Sequence, residues 1–151
     1  MSYELGNSST RAVRRVKDQG LSLPDRPGFD MPVLPADITA EHNEDLMVLF
    51  GNFESWLSFV EVQLAAADID EKHATNRLEE ISAGIQIENK GKSKTVSEAK
   101  ALILKDGVYT VQADLVQNSY AYRKVVETIY RRLERAKFMI SREITRRGYK
   151  A

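Results

Sequence analysis

Between residues 46 and 67 the apolar positions Leu46, Leu49, Phe50, Phe53, Leu57, Val60, Leu64 and Ala67 recur at spacings of three and four. That is the period of a helix that buries one stripe and leaves the rest in water. Trp56 flanks the stripe. Asp37 or Thr39 can cap the start, and Glu41, Glu44 and Asp45 stand near the positive end of the helix, where carboxylates are favoured. The spacing loosens through residues 66–70 and resumes with Leu78 and Ile81, which predicts a helix to about Ser82, ended by Gly84.

A second long stripe comprises Val111, Leu115, Tyr122, Val126, Ile129, Leu133, Ile140 and Ile144, on a helix predicted from about Tyr109 to Arg147. At about 100° per residue, Tyr120, Lys124, Arg131, Arg135, Phe138, Arg142 and Arg146 fall within roughly 40° of one direction on the opposite face. One face packs and the other carries charge. Between the long helices, residues 84–94 (GIQIENKGKSK) read as a polar loop or hairpin bearing Lys90, Lys92 and Lys94. Thr95 and Glu98 then form a capping box for a short helix from about Val96 to Asp106, with Gly107 as its stop.

Residues 1–36 hold all four prolines, Pro24, Pro27, Pro32 and Pro35, and show no sustained period. They read as an extended arm, in which residues 9–19 (STRAVRRVKDQ) can form a short basic helix when something binds it. The expected fold is all-α: a long antiparallel helical hairpin over residues 37–151 with a short extra helix and an extended Pro/Gly-containing basic N-terminal arm over residues 1–36. Apolar stripes this long on so small a chain invite self-association into a ring-like homo-oligomer, since one hairpin cannot cover both sides of its own helices. The residues expected to form core or oligomer contacts are Leu46, Phe50, Phe53, Trp56, Leu57, Val60, Leu64, Leu115, Tyr122, Val126, Ile129, Leu133, Ile140 and Ile144.

Composition narrows the chemistry. The 151 residues include no cysteine and two histidines, His42 and His73, which are far apart, so neither a disulfide nor a metal site is expected. No apolar run approaches the length of a membrane span and no signal peptide opens the chain, so it is expected in the cytoplasm, without a membrane partner. The formal net charge is zero, but it is unevenly distributed. Residues 30–81 carry an acidic excess of about ten and residues 121–151 a basic excess of about seven.

No arrangement of catalytic residues is visible. Asp68 with Asp70 and Glu79 with Glu80 are too close in sequence to converge from one helix, no serine has a general base by local motif, and no cofactor is implied. The GKSK sequence at residues 91–94 lacks the earlier glycine and preceding strand of a nucleotide loop. An enzyme is not expected. The basic face has two readings. Arginines one or two turns apart can follow a phosphate backbone while Tyr120 and Phe138 stack on unpaired bases, which favours single-stranded nucleic acid. Alternatively the cations pair with the acidic first helix of the same or a neighbouring chain. The candidate nucleic-acid contacts are Lys90, Lys92, Lys94, Tyr120, Lys124, Arg131, Arg135, Phe138, Arg142 and Arg146, with Arg11, Arg14, Arg15 and Lys17 as further contacts from the arm.

The helix containing Phe53-Glu54-Ser55-Trp56-Leu57, the lysine-rich connection, the segment KTVSEAKALILKD (94–106) and the final ERAKFMISREITRR (134–147) together resemble the UvsY-type recombination mediators of tailed bacteriophages. The resemblance covers residues 45–147 and is a pattern of helices and residue types. It implies a non-enzymatic, ring-forming homo-oligomer in the host cytoplasm that binds single-stranded DNA, loosens a single-strand-binding protein and helps a RecA-like recombinase load. By that resemblance the lysine-rich connection and the final helix meet DNA. Two other readings stay open: a phage small terminase subunit or other packaging or virion-assembly protein, binding duplex through the arm, and a structural coiled-coil adaptor without DNA affinity.

Overall fold

The computed structural model describes residues 7–148. In order, α1 spans Asn7–Asp18, a short 3-10 turn spans Ile38–Ala40, α2 spans Asn43–Glu88, α3 spans Val96–Lys105 and α4 spans Gly107–Gly148. Among the described residues there is no strand, so the class is all-α, with two long helices. The chain divides into two compact units. The first joins residues 7–13 to Ala66–Lys124, and the second joins Arg14–Ala65 to residues 125–148.

Local chemistry places the helix ends. Asp37 accepts from the Thr39 amide at 2.9 Å and caps the 3-10 turn, while α2 starts only at Asn43. The Thr39 hydroxyl, then its amide, hold the Asp37 carboxyl below its usual range. The predicted stop at Gly84 does not occur: α2 runs on to Glu88, and Ile85, buried at 6% exposure, repays the roughly 1 kcal/mol that an internal glycine costs. The helix ends where Asn89 turns its side chain back to the Ile85 carbonyl at 3.0 Å and Gly91 takes a positive φ of 86°. The loop predicted over residues 84–94 is therefore shorter.

Thr95 caps α3 as predicted, accepting from the Glu98 amide at 3.2 Å, but the Glu98 carboxylate reaches the Lys94 amide at 2.7 Å, one residue before the cap. Gly107 is not a stop but the first residue of α4. Asp106 divides the helices. Its amide donates to the Ile103 carbonyl at the end of α3, and its carboxylate accepts from the Val108 and Tyr109 amides at 2.9 and 3.1 Å. The basic segment of the arm is helical as α1, closed by a paired C-terminal motif in which Gly20, at φ 77°, donates to Lys17 and Leu21 donates to Val16.

In the second unit the early part of α2 runs antiparallel to the later part of α4, over a core of Leu46, Phe53, Trp56, Leu57, Val60, Val126, Leu133, Ala136 and Ile140. Trp56 belongs inside this core rather than beside it: its indole N–H donates to the Phe29 carbonyl at 3.2 Å, and Arg26 lies over its ring at 5.8 Å. Phe50, Leu64, Ile129 and Ile144 are half-buried. Arg147 fastens the start of α2, donating to the carbonyls of Ile38, Thr39 and Glu41 and to Asn43 Oδ1 at 2.7–3.2 Å.

The first unit is built differently. The later part of α2 buries Ala66, Ala67, Ala74 and Ile85, and α3 buries Ile103. Alanines explain why the apolar spacing loosens there: the seam is narrow rather than absent. The early part of α4 turns Tyr109, Gln112, Ala113, Val116 and Ser119 to a half-buried position, and Gln112 donates to the Ala74 carbonyl at 2.9 Å. Tyr122 is half-buried, whereas Val111 and Leu115 from the predicted stripe are 72% and 51% exposed, so Leu115 is not part of this unit's core. Ser9 of α1, 1% exposed, places its hydroxyl 3.0 Å from the Asp70 carboxylate, a favourable place for negative charge beside a helix start.

Candidate nucleic-acid interface

In the second unit, Arg131, Arg135, Phe138 and Arg142 follow one another at spacings of four, three and four along α4 and are all exposed. Helix geometry sets side chains at this spacing one above another. Arg131 pairs with Glu127 at 2.6 Å, one turn back, and Arg135 Nε donates to the Arg131 carbonyl at 3.3 Å. Phe138 is 61% exposed, a large apolar ring left in water, and the Arg142 guanidinium lies 5.8 Å from its centroid. A cation over an outward ring is the pairing that can stack on a base while meeting its phosphate.

Arg146, the last residue predicted for this row, is differently engaged. It meets Glu143 through two hydrogen bonds of 2.7 and 2.6 Å. Glu143 also accepts from Arg147 at 2.9 Å.

In the first unit, Tyr120 is 44% exposed, with the Arg123 guanidinium 5.4 Å and the Lys124 ammonium 5.8 Å from its ring. Lys124 is exposed. Lys90, Lys92 and Lys94 are exposed on the turn after α2. On α1, Arg11 in the first unit and Arg14, Arg15 and Lys17 in the second are also exposed.

Three cations outside the predicted site neutralise carboxylates within each unit. Arg123 pairs with Glu71 and lies 3.5 Å from Asp68 in the first unit. In the second, Lys137 pairs with Glu54 and Arg147 with Glu143. The pairing of basic and acidic helices is thus realised within the chain by Arg123 and Lys137, side chains no more than 29% exposed. The signal was available in the sequence: Arg123 and Lys137 lie off the outward row on the helical wheel.

No cluster of three or more histidine, cysteine or acidic residues able to hold a metal occurs among the described residues, and no described helix is long and apolar enough to cross a membrane. Neither a protein-family model, nor a curated protein, nor a solved structure matches the chain.

Proposed function

We propose that this chain is a non-enzymatic single-stranded DNA-binding protein whose contact surface is the outward row of α4. The observation that carries the reading is Phe138, exposed in water beneath the Arg142 guanidinium and in line with Arg131 and Arg135. Arginines bind successive phosphates with release of counterions, and the ring offers a platform to an unpaired base, a combination that tolerates any sequence and that paired, stacked bases cannot use. Tyr120 and Lys124 repeat the aromatic–cation pairing in the first unit.

With the resemblance to UvsY-type mediators, the fuller proposal is a homo-oligomer that presents many such rows to one strand, displaces a single-strand-binding protein and helps a RecA-like recombinase load. Repeating a weak site around an assembly gives high avidity without a deep pocket.

The test is fluorescence anisotropy with labelled single-stranded and double-stranded DNA across a salt series, with mass in solution measured alongside. Expected are a preference for single strands, an affinity that falls steeply with salt, and a loss of about tenfold or more for R135E/R142E with helicity unchanged. No binding near physiological salt overturns the reading and leaves a structural adaptor. A preference for duplex favours the packaging reading, for which α1 is the pertinent observation: a formed helix with Arg11, Arg14, Arg15 and Lys17 exposed.

A further inference from the structure

In the second unit a groove of about 390 Å³ runs between α2 and α4. Phe50, Leu57, Tyr130 and Phe138 line it, together with Glu61 and Glu134. Both carboxylates are exposed, and among the described residues neither forms an ion pair. The groove already shows which chemistry it accepts. The Lys137 ammonium lies 5.6 Å from the Phe50 centroid and pairs with Glu54, which also lines the groove. An ammonium over an aromatic face and beside a carboxylate is a favourable arrangement when partly desolvated. Burial, then Glu134 and Glu61, push the Tyr130 hydroxyl above its usual range, in keeping with a negative local field. The exposed carboxylates Glu61 and Glu134 draw a cationic side chain to the groove.

The chain carries a matching feature. Lys90, Lys92 and Lys94 are exposed within five residues, on a turn shaped by Gly91 at φ 86°. The other basic element, α1, already buries Ser9 and half-buries Val13 and Val16 against its own chain. We propose that the groove seats the lysine turn of a second copy of this chain, Lys90, Lys92 and Lys94 meeting Glu61 and Glu134, so that copies join head to tail. Such contacts use two different surfaces, one from each partner, and close into a ring when the rotation between copies allows. The inference rests on the homo-oligomer of the function proposed above, and not on DNA binding.

The test is sedimentation velocity in DNA-free buffer on the wild-type chain, E61K/E134K, K90E/K92E/K94E, and an equimolar mixture of the two variants, with helicity checked by circular dichroism. Expected are self-association of the wild type, its weakening by about tenfold or more in each variant alone, and a mixed species in the mixture, where each kind of turn finds a groove of opposite charge. If E61K/E134K loses helicity, E61Q/E134Q replaces it, with a smaller weakening expected. A wild type that stays monomeric at all concentrations, a groove variant that assembles like the wild type, or a mixture that forms no mixed species overturns the proposal. DNA binding is read separately with R135E/R142E, so loss of assembly and loss of strand binding are told apart.

Discussion

The Arg146 guanidinium faces the Glu143 carboxylate side-on, through two hydrogen bonds of 2.7 and 2.6 Å. Arg147 reaches the same carboxylate, which is only 6% exposed. These bonds, chiefly that from Arg146, hold the Glu143 carboxyl down at about 2, against an ordinary value of 4.5. A depressed carboxyl contributes stability that is present above about pH 4.5 and is lost as pH falls toward and through about 2. Thermal melts followed by circular dichroism between pH 2 and 6 should therefore show the melting temperature falling across that window. E143Q should melt lower at neutral pH and lose part of that acid dependence; an unchanged acid profile would remove Glu143 as its source.

Arg147 and Arg135 are both arginines of α4 but have different work. Arg147 donates to three carbonyls and to Asn43 around the start of α2, whereas Arg135 is exposed and donates to the Arg131 carbonyl of its own helix. R147A should lose about 2 kcal/mol in urea unfolding, because hydrogen bonds to a charged, partly buried group are among the stronger ones. R135A should stay within about 0.5 kcal/mol. Equal effects would contradict the division between structural and binding arginines.

Ile140 and Leu115 occupy the same sequence stripe with opposite burial, 0% and 51% exposed. I140A should cost about 2–5 kcal/mol by opening a cavity in the second unit, and L115A less than about 1 kcal/mol. Chemical unfolding at low protein concentration measures both. A large cost for L115A would mean that Leu115 is covered in solution.

Trp56 is the only tryptophan, so intrinsic fluorescence reports its surroundings without ambiguity. Its indole is held by the Phe29 carbonyl and covered by Arg26. Deleting residues 1–36 should shift the emission to the red as water reaches the ring, with far-ultraviolet helicity reduced only by the loss of α1. An unshifted spectrum would show that α2 and α4 alone bury the ring.

Asp106 ends one helix and starts the next with a single residue. D106A should cost about 1 kcal/mol, as other lost caps do, and D106N should recover most of it.

Helical period and cap chemistry act within a few residues of one another, so the class, the two long helices, the Thr95 cap and the burial of Val126, Leu133 and Ile140 were legible in the sequence. It also separated acid from base along the chain. It could not determine where α2 ends, because the burial of Ile85 outweighs the weak helix propensity of Gly84. Nor could it place the inward face of early α4. Periodicity shows which residues are apolar but not what packs against them. There the opposing seam is made of alanines, and Gln112 and Arg123 reach it by a hydrogen bond to Ala74 and a pairing with Glu71, leaving Val111 and Leu115 in water. The same limit applies to the cations. A helical wheel gathered the arginines of α4 onto one face, and the pairing of Arg146 with Glu143, three residues apart on that helix, follows from local spacing; the pairings of Arg123 with Glu71 and of Lys137 with Glu54 join residues far apart in sequence, and the tertiary structure alone brings them together. An ion pair between helices is decided by which carboxylate the fold brings within reach, and neither spacing nor composition contains that distance.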